Sequence, residues 1–226
     1  MVNLHYKTAF FGGLKYIVRY PAEYKKGEKY PVILFLHGAG SRGENVNVLL
    51  NNPFFLITEN HTDFPFIVIA PQCHKNNWFE LMSELQEFTA EIMDFDFVDR
   101  NMVYSIGASM GGYALWQLAM NLPNTFAAIV PICGGGMYWN ARRLVGTAIW
   151  AFHGDSDDVV FAEESVKMVE KVNAAGGDAK LTIYENTGHD SWSETYSNYN
   201  VFRWLLEQKN TYVDDLRLLN GADVYG

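Results

Sequence analysis

Cysteine is scarce in this chain: 226 residues hold only Cys73 and Cys133, with no CxxC spacing. That excludes a disulfide framework, and both are expected to be buried or free thiols. No run of about 18 uncharged apolar residues occurs, so no membrane-crossing helix is expected. The opening MVNLHYKTAFFGG lacks the basic, apolar, small-residue order of a signal peptide, and the expectation is a cytoplasmic chain unless a leader has been removed. Positive charge is also short, with 17 Lys and Arg against 26 Asp and Glu for a formal −9. Such a surface repels phosphate, which argues against nucleic-acid and anionic-membrane partners and favours a small or neutral substrate. The histidines and cysteines show no zinc spacing, and GAGSRGEN lacks the Lys-Ser ending of a phosphate loop, so neither metal nor nucleotide cofactor is expected. Nothing in the sequence signals an oligomeric state.

What is present is a 49% hydrophobic chain, long enough to bury a sizeable core, with no repeat or linker; one domain over 1–226 is expected. Apolar, strand-like runs fall at 14–20, 31–38, 64–72, 102–106, 126–132, 147–154 and 179–185. Between them lie helical patterns: SELQEFTAEIMDFDF with Leu85, Phe88, Ile92 and Phe95 on one face, GYALWQLAMNL, AEESVKMVEKVNAAGG, and one helix over SETYSNYNVFRWLLEQKN. The alternation predicts an α/β fold, a mainly parallel twisted sheet with helices on both faces. The stretch from 211 to 226 lies beyond the pattern, an extension whose structure the sequence does not indicate.

Reactive groups in such a sheet are expected at the carboxyl ends of the strands. There the segment GASMGG, between MVYSI and YALWQLAM, fits G-x-S-x-G, a sharp strand-to-helix turn that lifts a serine hydroxyl clear of the sheet. This makes Ser109 a candidate nucleophile. A serine needs a base, and the base an orienting acid. AFHGDSDDVV offers Asp155, Asp157 and Asp158 after one strand, and ENTGHDSW offers His189 after the last, giving the order Ser, Asp, His. His5 and His61 read as surface residues.

Together HGAGSRGEN, GASMGG, HGDSDDVV and TGHDSW resemble the α/β-hydrolases over roughly residues 14–208. More narrowly, they resemble the small serine esterases of the phospholipase/carboxylesterase-like, dienelactone-hydrolase-like and polyhydroxybutyrate-depolymerase or feruloyl-esterase-like groups. The resemblance implies that the acid is Asp157, the aspartate of H-G-x-x-D, with Asp158 its main rival and Asp155 a loop-capping residue. It implies an oxyanion hole from the N–H groups of Met110, after the nucleophile, and Ala39, after His37-Gly38. His37 and His153 are then structural loop residues. Dienelactone hydrolases place a cysteine where this chain has Ser109, which argues against dienelactone chemistry.

Aromatic residues in loops are expected to border the cleft as substrate-binding residues: Trp78 beside Phe79, Tyr138 with Trp139, and Trp192. The 14 residues CGGGMYWNARRLVG are too few for a lid domain, which favours soluble esters over lipid interfaces. The expected function is a serine carboxylic-ester hydrolase acting on small-molecule esters, with feruloyl- or acetyl-type aromatic and carbohydrate esters as candidates. A thioesterase or peptidase with the same three residues is the alternative, and a noncatalytic binding protein of the same fold a remote one.

Overall fold

In the computed structural model, residues 6–211 are described. The chain enters through an antiparallel pair, β1 (Tyr6–Phe11) and β2 (Leu14–Arg19), joined by Gly12 and Gly13 at positive φ. The remaining strands are β3 (Tyr30–Leu36), β4 (Ile67–Pro71), β5 (Val98–Ala108), β6 (Ala128–Ile132), β7 (Ala148–Gly154) and β8 (Ala179–Tyr184). They form one sheet in the order β1-β2-β4-β3-β5-β6-β7-β8, parallel from β4 to β8. β2 joins β4 antiparallel. The expected mainly parallel α/β architecture is therefore present. β1 was not foreseen, because YKTAFF is an outer strand with a half-exposed, weakly apolar pattern.

Side-chain alternation divides the core in two. On β3, Val32, Leu34 and Leu36 point to one face, where α2 (Met82–Ile92), α3 (Met110–Asn121) and α4 (Glu163–Ala174) contribute Phe88, Trp116 and Met168. Ile33 and Phe35 point to the other, against α1 (Pro53–Thr58), α5 (Trp192–Ser197) and α6 (Tyr199–Glu207). A continuous apolar strand is what burial on both faces demands.

Two helix expectations need correction. The pattern over 83–97 ends as a helix at Ile92, and Phe95 reaches the same core from the turn beyond it. The single helix expected near the C-terminus is two, because Asn198 leaves helical geometry (φ −78°, ψ 97°) and its side chain accepts from the N–H of Asn200, starting α6 afresh. His61 is half-buried rather than a free surface residue: its ring packs 5.0 Å from Phe202 and 5.3 Å from Tyr199. His5 and residues 212–226 lie outside the described residues.

Phe88 on α2 is fully buried and meets Tyr16 of β2 edge-on at 4.9 Å. Phe88→Ala should lower unfolding free energy by about 3–5 kcal/mol, read by urea titration, because the cavity cannot collapse between helix and sheet.

Candidate active site

The strand β5 runs straight into α3 through Ser109, which stands at φ 54°, ψ −119°. A side chain at positive φ is strained, at a cost of order 1–3 kcal/mol. The surroundings hold it there: the Ser109 N–H donates to the Ile132 carbonyl of β6 at 2.9 Å. A methyl group at Gly111 would overlap the Leu36 carbonyl, so α3 can start this close to β3 only with glycine there. The glycines of GASMGG are thus explained by close approach of backbone on backbone.

Three residues separated by up to 80 positions meet at this turn. Ser109 Oγ lies 2.8 Å from His189 Nε2, and His189 Nδ1 lies 2.8 Å from Asp157 Oδ2. Since a carboxylate only accepts, Nδ1 carries the proton and Nε2 is left to accept from Ser109. Asp157 Oδ1 accepts from the N–H groups of Val159 (3.0 Å) and Val160 (2.9 Å). Burial by itself would raise the Asp157 carboxyl, but the bonds from His189, Val160 and Val159 outweigh it and hold it below the ordinary carboxylate range. Asp158 is exposed, and the carboxylate on His189 Nδ1 is that of Asp157, so the rival acid is set aside by position. Asp155 binds Ser156 Oγ at 2.8 Å as a loop residue. The β7 and β8 loops come together because position 154 is glycine: a Cβ there would collide with the carbonyls of Thr187 and Gly188.

Opposite the serine, Gly38 leads into a single 3-10 turn, Ala39–Ser41. Ala39 and Met110 each open a helical turn, so their N–H groups have no carbonyl behind them in the helix. His37 fixes this loop from behind. Its Nδ1 donates to the Gly38 carbonyl at 2.7 Å, its Nε2 accepts from Cys73 N–H at 3.0 Å, and its carbonyl accepts from Trp78 Nε1 at 3.0 Å. Burial lowers the His37 imidazole to about 4.

Ser109 and His189 open into a cavity of about 650 Å³ whose apolar wall includes Phe35, Val48, Pro53, Val159, Trp192 and Tyr196. Trp192 stands edge-on to His189 at 5.2 Å, as a cleft residue should. The other aromatic expectations do not hold. Trp78 is fully buried and serves the His37 loop, while Tyr138 and Trp139 pack on each other at 5.2 Å, with Trp139 72% exposed, and do not line the cavity. A loop address does not tell which face of the sheet an aromatic ring will take. Conversely, Val48, Asn51 and Asn52 line the cavity from a segment that bears no motif.

Among the described residues one trio of metal-ligating types, Cys133, Asp157 and His189, lies within 4.8 Å. Asp157 and His189 are spent on each other, and burial pushes the Cys133 thiol up to about 12, which disfavours a thiolate ligand. Both cysteines are buried and free, as expected. No described helix is long and apolar enough to cross a membrane.

Residues 70–203, more than half of the chain, match the Dienelactone hydrolase family. The chain belongs to that family. It is 28% identical to feruloyl esterase D of Neurospora crassa over 156 residues, covering 65% of this chain and 54% of that protein. It is 21% identical to dipeptidyl-peptidase 5 of Porphyromonas gingivalis, covering 81% of this chain and 34% of that one. The chain therefore spans about half, and about a third, of the length of these two relatives. A crystal structure of a thermostable esterase superposes with a TM-score of 0.73 at 31% identity, over 92% of this chain and 63% of the other. The fold is that of an α/β-hydrolase, and among the described residues only the 3-10 stretch Tyr138–Leu144 stands between β6 and β7 where a lid could be inserted.

A buried neutral His37 has a defined sign in acid. Its folded-state value lies below the usual 6.5, so its stabilising effect is complete above about 6.5 and is lost as pH falls toward about 4. Wild type should lose up to about 3 kcal/mol across that window relative to His37→Asn, measured by urea unfolding at stepped pH.

Proposed function

We propose that this protein is a serine carboxylic-ester hydrolase working through Ser109, His189 and Asp157 and an acyl-enzyme. The observation that carries the reading is the unbroken relay from Ser109 Oγ to Asp157 Oδ2, with both links at 2.8 Å, opening into a mainly apolar cavity. His189 Nε2 takes the hydroxyl proton as Ser109 Oγ bonds to the carbonyl carbon. Asp157 stabilises the imidazolium, and the N–H groups of Ala39 and Met110 receive the oxyanion. The proton on Nε2 then passes to the departing alkoxide, and the C–O bond to the alcohol breaks. Water, deprotonated by the same nitrogen, releases the acid and restores Ser109.

The cavity bears on the substrate. Among its described lining residues there is no Lys or Arg to meet a carboxylate, and no Asp or Glu to meet an ammonium. That favours a neutral ester, and it disfavours both an anionic lactone and the free amino terminus that a dipeptide-releasing peptidase would hold. The likeness to feruloyl esterase D and the aromatic edge of Trp192 support acyl groups with a flat ring. The shared machinery keeps thioesters and amides as the second reading, which the likeness to dipeptidyl-peptidase 5 brings forward.

Matched nitrophenyl, methyl hydroxycinnamate, thioester and anilide substrates should be hydrolysed with the esters foremost. Ser109→Ala should abolish turnover, and Asp157→Asn should lower kcat on the order of 10³–10⁴-fold. Amides turned over faster than esters would reject the reading. Trp192→Ala should raise KM for aromatic esters about 5- to 50-fold with a smaller effect on acetate esters.

A further inference from the structure

Two buried titratable side chains border the relay without belonging to it, Cys133 and His153. The thiol is held protonated by burial. His153, the next-to-last residue of β7, is different: its ring and the Asp157 carboxylate are both wholly buried and 3.2 Å apart. Its Nε2 carries a proton and donates it to the Val160 carbonyl at 2.8 Å, with Asp157 Oδ2 standing 3.2 Å from the same nitrogen. The far edge of the ring is fixed too. Nδ1 lies 2.7 Å from Ser165 Oγ, which is itself 2.9 Å from the Gly134 carbonyl. Asp157 Oδ2 thus accepts from His189 and lies against the His153 ring edge, while Oδ1 takes two backbone amides.

We propose that His153 is a positioning residue of the relay: its Nε2–H ties down the carbonyl of Val160, the residue whose amide binds Asp157 Oδ1, and its polar ring edge, 3.2 Å from Oδ2, holds the carboxylate at the angle His189 requires and draws off part of its charge. The second consequence separates this from mere packing. Charge withdrawn from Oδ2 is charge not spent on stabilising the imidazolium that forms at His189 during the reaction. The titratable groups on surrounding elements include Asp155, Asp157 and Asp158 on its own loop, Cys133 after β6, Tyr113 on α3, Tyr184 on β8, Glu163 and Glu164 at the start of α4, and His189 with Asp190 after β8. Among the described residues, Asp157 alone stands within ion-pair distance of the ring.

The inference rests on the ester-hydrolase reading, and its test has two arms. His153→Phe keeps a ring and removes the donor; His153→Gln keeps an N–H near the Nε2 position. The Phe variant should lower kcat about tenfold or more with KM within about twofold, and move the acid limb of kcat/KM about half a pH unit upward, with Gln restoring most of both. An acid limb that stays put or moves down would show that the ring only fills space or that Asp157 has swung away. Should the Phe variant not fold, ¹⁵N-histidine NMR of the wild type decides the bond, with the His153 signal assigned by its absence from the Gln variant. A slowly exchanging proton on Nε2 across the active pH range is expected, and a bare Nε2 overturns the proposal. A wild type inert toward every ester would sink the functional reading, while the spectrum still reports the His153 contact.

Discussion

The positive-φ turn at Ser109 is the constraint on which the rest of the site depends. A serine at φ 54° is unfavourable in isolation, and it persists because the strands on either side and the start of α3 leave the backbone no other course. The same crowding points the hydroxyl out of the sheet, places the first N–H groups of α3 behind it, and sets the height at which His189 must arrive. The two loops that deliver Asp157 and His189 are in turn locked together through the bare backbone of Gly154. Local strain is thus balanced by a sheet whose parallel strands are buried on both faces.

Electrostatics then divide the labour. Asp157 is buried yet kept ionised by three N–H groups, that of His189 and two amides of its own loop. His37 is the opposite case, an imidazole that burial keeps neutral so that it can accept from Cys73 while donating to Gly38. One histidine therefore holds the loop carrying Ala39, another the acid, and among the described histidines only His189 lines the cavity.

Much of this was legible in the sequence, and for a physical reason. The turn around Ser109 tolerates only small neighbours, and the loops with Asp157 and His189 follow strands whose apolar runs are long enough to recognise. Where the sequence misled, side-chain direction was at stake: Trp78, Tyr138 and Trp139 sit in the right loops and face elsewhere, because loop position fixes neither depth nor orientation. The cavity wall from Val48 to Pro53 escaped notice because a surface that only needs shape leaves no motif. The break at Asn198 was hidden by an amphipathic pattern that runs on through it.

The claim at the centre is that Ser109 is a nucleophile made reactive by His189. Incubation with a fluorophosphonate followed by intact-mass and peptide analysis tests it most directly. The account predicts one covalent adduct, on the peptide containing Ser109 and blocked by a neutral ester substrate; an unmodified chain, or an adduct at another residue, would contradict it.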